Sequence, residues 1–220
     1  MDALAGYLES CHEELEFDEK SDAVLVSSIY WQQGEATYED NRVASADLEH
    51  WLEQGDHVAD DRGGDDSSLR IVRIDIDPAN LRGFCINQRN YDLVEQRFDL
   101  KRARQFMNIE GFVEVPATEY NDSGHGNKSF VLRSGWGWEL VWSHDMTRNR
   151  TDVILWGEES YAYTKFYRFV QDFRSLSMHP LFMPLVCATT LWRNCETTMG
   201  RVVRSIKEVE RRTKHRGNYI

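Results

Sequence analysis

The chain has 220 residues, 41% hydrophobic and 29% charged, enough apolar material for one large domain and too much for wholesale disorder. Its formal net charge of −11 opposes tight binding to nucleic acid, where neutralisation of phosphates by Lys and Arg dominates affinity. No stretch approaches the roughly 20 apolar residues needed to cross a bilayer. Residues 2–22 lack the apolar run of a secretory signal, so a cytoplasmic location with free thiols at Cys11, Cys85, Cys187 and Cys195 is expected.

In chain order, Leu4, Tyr7, Leu8, Cys11 and Leu15 are spaced as in a helix over 2–17. Residues 23–31 are β-branched and aromatic and predict a strand. Ser45 suits the N-cap of a short helix through Gln54, stopped by Gly55. Residues 56–68 are rich in Asp, Gly and Ser and predict a flexible acidic loop. Residues 69–77 alternate: Leu69, Ile71, Arg73 and Asp75 face one way, and Arg70, Val72, Ile74 and Ile76 the other. Residues 90–100 predict a helix with Tyr91, Val94 and Phe98 on one side, 109–115 another strand, and 120–128 a polar loop.

A hairpin follows. Trp136, Trp138, Leu140 and Trp142 share one face of its first strand, opposite Gly137, Glu139, Val141 and Ser143. A polar turn over 145–150 leads to a second strand over 152–156, broken by Gly157. Tyr163, Phe166, Val170 and Phe173 then make a helical stripe. The aligned Trp residues are expected to pack against that helix; a carbohydrate-binding or other small-ligand sheet is the alternative use of the same face.

The segment after Pro180 and Pro184 is the most regular of all. Steps of three and four residues from Leu185 reach Ala188, Trp192, Cys195, Met199, Val202, Ile206 and Val209, a seam of about four heptads that can fill holes on a facing helix. Leu191 and Val203 widen it. Charge is uneven: residues 1–66 hold nineteen Asp/Glu against three Lys/Arg, while residues 193–216 hold eight Lys/Arg against three Glu. Self-association, or docking of a partner helix, is the expected use of the seam.

Candidate chemistry is sparse. Asp56, His57, Asp60, Asp61, Asp65 and Asp66 offer oxygen ligands that Mg²⁺ would accept, in a spacing that fits no Ca²⁺ loop, so a solvated loop is the better expectation. Asp75 and Asp77 read as polar residues at a strand end rather than a paired acid and base. His144-Asp145 has no serine elbow to serve, and the cysteines have no zinc-ligand spacing. No catalytic, cofactor or metal residue is assigned, and a non-enzymatic chain is expected.

The order of segments, a β-rich front, a Trp-containing hairpin, a helix, then His179-Pro180-Leu181-Phe182-Met183-Pro184-Leu185 opening a long heptad helix, resembles the cytosolic region of fungal CorA-like magnesium transporters. In that family an H-P-L-x-x-P-L type sequence opens the stalk helix. The match lies at His179, Pro180, Leu181, Pro184 and Leu185, and the segment order agrees from about Leu69 onward. The family's two membrane helices and Gly-Met-Asn signature have no counterpart in these residues, and Thr198-Met199-Gly200 is not that signature. The resemblance therefore implies a cytosolic domain linked to divalent-cation transport or sensing that conducts no ion by itself. The expected fold is α+β: a mixed or antiparallel sheet with flanking helices over 1–177, then a long amphipathic helix over 178–220.

Overall fold

The computed structural model describes residues 16–53, 69–77, 80–100, 111–115, 128–133, 138–146, 148–157 and 161–216. The chain is α+β, with a mixed nine-stranded sheet between two helical layers. Its elements are β1 (Glu16–Phe17), β2 (Ala23–Gln32), β3 (Glu35–Ala44), α1 (48–53), β4 (Leu69–Asp77), β5 (Asn80–Phe84), α2 (Gln88–Arg97), β6 (Gly111–Val115), β7 (Lys128–Arg133), β8 (Trp138–Asp145), β9 (Arg150–Gly157), α3 (Tyr161–Asp172) and α4 (Phe182–Arg216).

Strand β4 organises the sheet. It runs parallel to β9 on one side, with Leu69 opposite Thr151 and Asp75 opposite Gly157. Its other side is shared, first by β2 and then by β5, both antiparallel. Beyond β9 the antiparallel order continues β8, β7, β6. β3 extends the sheet outside β2, and β1 pairs in parallel with β5.

Alternation within each strand sorts the core into two faces. On one, Val72, Ile74, Val141, Ile154 and Trp156 meet Leu48 and Leu52 of α1 and Tyr91 and Val94 of α2, with Phe98 just beyond it. On the other, Leu69, Ile71, Trp138, Leu140, Trp142, Val153 and Leu155 meet Tyr163, Phe166 and Val170 of α3 and Phe182, Met183, Val186 and Cys187 of α4. The beginning of α4 thus belongs to the globular core. Trp138 and Trp142 are completely buried, and Trp138 packs on the Phe166 ring at 6.0 Å between centroids.

Three expectations need correction. Glu16 and Phe17 are a strand paired with β5, not the end of a helix; the rest of the 2–17 helix lies outside the described residues. Ser45 caps nothing: residues Ser45–Asp47 form a 3-10 turn whose N-cap is Ala44, and the Ser45 hydroxyl donates to Ser21 O at 3.0 Å. Strands β3, β5 and β7 have no counterpart among the sequence-predicted elements; Lys128, assigned to a loop, begins β7.

Candidate functional site

α4 is entered through a tight turn. Phe182 N donates to His179 O at 2.8 Å, and Leu181 N donates to His179 Nδ1 at 3.1 Å, so the His179 ring closes the turn. Pro184 lies in the first turn of α4, where its missing N–H leaves no bond unmade. Pro180 and Leu181 are exposed at the outside of this turn. Of the sequence-predicted motif, His179 and Pro184 therefore have local structural work, and Leu185 begins the seam.

The helix has two faces. Met183, Val186, Cys187, Thr190 and Asn194 are buried against α3 and the sheet. At about 100° of rotation per residue these cluster within about 60° of Met183. The seam residues fall on the far side: Leu185, Ala188, Trp192, Cys195, Met199, Val202, Ile206 and Val209 are all exposed, with Trp192 60% and Met199 62% accessible. The seam therefore turns away from its own domain even along the stretch where the helix is docked.

Polar bonds anchor the inward face. Lys165 Nζ of α3 lies 3.1 Å from Thr197 Oγ1 and 3.4 Å from Asn194 Oδ1. Beyond these, every described side chain from Arg201 to Arg211 is exposed. The helix has 35 residues, about 52 Å of rise, so about half of it projects from the globular part. Its basic residues Arg201, Arg204, Lys207 and Arg211 lie off the seam. Arg193 reaches back, its guanidinium 5.1 Å from the centre of the Trp192 ring.

The remaining sequence candidates are not brought together. The acidic residues of 56–66, and Trp136, lie outside the described residues. Asp75 is paired with Arg73, Oδ1 to Nε at 2.8 Å, and Asp77 sits at the register shift between β4 and β5. His144 and Asp145 alternate onto opposite faces of β8, so no triad forms. Among the described residues no group of three or more His, Cys, Asp or Glu is placed to hold a metal, and no helix is long and apolar enough to cross a membrane. Cys85 and Cys195 are exposed, whereas Cys187 is buried and burial pushes its thiol pKa up, which makes it unreactive. No family model matches the chain, and no curated protein or solved structure is similar to it. Sequence reasoning missed the inward stripe of α4, although Phe182, Met183, Val186 and Cys187 carry its apolar i, i+1, i+4, i+5 signature.

Proposed function

We propose that this chain is a non-enzymatic, CorA-like cytosolic domain that self-associates through the outward seam of α4. The observation that carries this reading is the orientation of the seam. A helix that only braced its own domain would need one apolar stripe. α4 has two, about 150° apart, and the domain uses the inward one, which leaves the seam uncovered. A strict 3.5-residue repeat on a straight helix drifts by about 20° per heptad, so it serves helix-on-helix packing and gives a flat sheet nothing. The seam exposes six large hydrophobic side chains in a row, which is costly in water unless another surface covers them. The basic residues lie off the seam, so packing two copies does not oppose like charges across it.

The link to divalent cations rests on the resemblance of the His179–Leu185 segment and the element order alone. The second use of the seam, docking of an unrelated partner helix, draws on the same exposed face. A sugar-binding Trp face draws no support, since Trp138 and Trp142 are sealed under α3.

Light scattering across a concentration series tests the reading. The wild-type chain should gain mass with concentration. Ile206→Asp places a charge in the middle of the seam, where burying it without a partner is expensive, and should give monomers with the sheet intact by circular dichroism. A wild-type chain that stays monomeric at high micromolar concentration would sink self-association.

A further inference from the structure

Side-chain size along the seam limits how two copies can meet. In heptad terms Leu185, Trp192, Met199 and Ile206 hold position a, and Ala188, Cys195, Val202 and Val209 hold position d. Within the seam the longer side chains thus lie at a and the shorter ones at d. Seven residues before Ala188, and so at the preceding d, stands Leu181, which is 63% exposed. Leu185 N donates to Leu181 O at 2.9 Å, so Leu181 is already on the helical path and lengthens the outward line by one layer.

A parallel, in-register pair sets like against like. Trp192 would meet Trp192 between an Ala188 layer and a Cys195 layer, one crowded layer between two underfilled ones, and both faults destabilise. Parallel two-stranded coils also favour β-branched residues at a and Leu at d, whereas from Leu185 to Val209 the β-branched Val202 and Val209 stand at d and no Leu does. An antiparallel pair sets a against d. With Ala188 opposite Met199 of the second copy, Trp192 falls opposite Cys195, Leu185 opposite Val202, and Leu181 opposite Ile206, so the shortest side chains face long ones. A shift by one heptad, to Ala188 opposite Ile206, would bring the two copies of the exposed Glu196 together at the flank of the seam. Charge favours the same arrangement. Residues 199–216 hold seven Lys/Arg and two Glu although the whole chain carries −11, so the rest of the chain is strongly acidic. A parallel pair concentrates both basic halves side by side, with axes about 8–10 Å apart. An antiparallel pair puts each beside the docked half of the other copy, at its acidic domain.

We propose that two copies of this chain pair antiparallel through α4, the projecting half of each lying along the docked half of the other with Met199 opposite Ala188. The arrangement rests on the self-association proposed above and gives it a partner, a direction and a register. The docked half of α4 is held by its inward residues Met183, Val186, Cys187, Thr190 and Asn194, so it offers the second copy a preformed surface. The two-fold axis repeats every layer, and each projecting half finds its cover on the other copy. Because the inward stripe lies about 150° from the seam, each domain sits on the outer side of its own helix, clear of the other.

Disulfide trapping in the full chain tests it, in a Cys11→Ser, Cys85→Ser, Cys195→Ala background that leaves only the buried Cys187. Ala188→Cys and Met199→Cys are added singly, at sites that are both exposed, so neither change disturbs the domain. Under mild oxidation each variant alone should keep the mass of one chain on a denaturing gel, and an equimolar mixture should give a product of twice that mass. A disulfide needs Cα atoms within about 7 Å, so a register one heptad away, displaced by about 10 Å along the axis, would not close it. Cross-linking of each variant to itself would show a parallel pair and overturn the antiparallel arrangement while leaving self-association standing. A mixture that gains mass by light scattering yet forms no cross-link would overturn the register. A chain that stays monomeric in light scattering would overturn the pairing together with the reading it rests on.

Discussion

Arg70 shows how one buried side chain ties three elements together. It is 3% exposed and makes two bonds to Asp152, Nε to Oδ1 at 2.6 Å and Nη2 to Oδ2 at 3.0 Å. Its Nη1 donates to Leu52 O at 2.7 Å, where a cation complements the carboxyl end of α1, and the guanidinium lies 5.0 Å from the centre of the Phe98 ring after α2. Arg150 Nε adds a second cation 3.1 Å from Asp152 Oδ2. The carboxylate thus balances two guanidinium groups in a site closed to water. Asp152→Ala should cost about 3–5 kcal/mol in urea denaturation, because it leaves a buried charge uncompensated. Replacing the pair together, Arg70→Met with Asp152→Leu, should recover part of that, since Arg150 still loses its counter-charge. A loss below ~1 kcal/mol for Asp152→Ala would mean that the pair is solvated in a way its burial contradicts. The sequence placed Arg70 on the right face of its strand, but nothing local announced its partner 82 residues away.

Elements whose burial is one-sided were legible, and those whose burial is partial were not. β2, β4, α2, the β8–β9 hairpin, α3 and α4 all carry apolar residues at the period of their structure. β3 does not: its ten residues, EATYEDNRVA, are mostly exposed because it is the outermost strand and needs only to hydrogen-bond to β2. β5 is short, and β7 opens with two polar residues, so neither alternates long enough to be recognised. One signal was available. Gln33 and Gly34 both have positive φ, 52° and 81°, as a two-residue hairpin turn requires, and a Gly between two runs of that length marks a hairpin. Gly34→Ala should cost about 1–2 kcal/mol, since a Cβ there meets no atom within 4 Å and the penalty is conformational alone. Chemical denaturation measures it; an unchanged midpoint would show that the turn relaxes to another type. At the candidate interface the seam was legible, because an unbroken heptad run is local information. Which way the seam points was hidden, because that depends on which other stripe of the helix the sheet captures.

At the scale of the whole molecule, α4 divides into a half that the fold needs and a half that it does not. Met183, Val186, Cys187, Thr190 and Asn194 are part of the core, and the Lys165 bonds to Asn194 and Thr197 mark where contact with α3 ends. From Met199 onward the apolar residues Met199, Val202, Val203, Ile206 and Val209 are 43–62% exposed, so removing them uncovers almost no buried surface. Truncation after Thr198 should therefore leave the melting temperature of the domain within about 3 °C of the full chain, on the scale by which ~1 kcal/mol moves a domain of this size. The same truncation should abolish concentration-dependent association. The projecting half also has little to hold it as a helix when alone, since isolated helices of about 18 residues are only marginally formed in water. Helix content by circular dichroism should consequently rise with concentration in the full chain and stay flat in the truncated one. A truncated chain that unfolds would show that the projecting half supports the domain through contacts the monomer lacks. One that still associates would move the interface off the C-terminal half of α4, to Leu185, Ala188, Trp192 and Cys195 or to another surface.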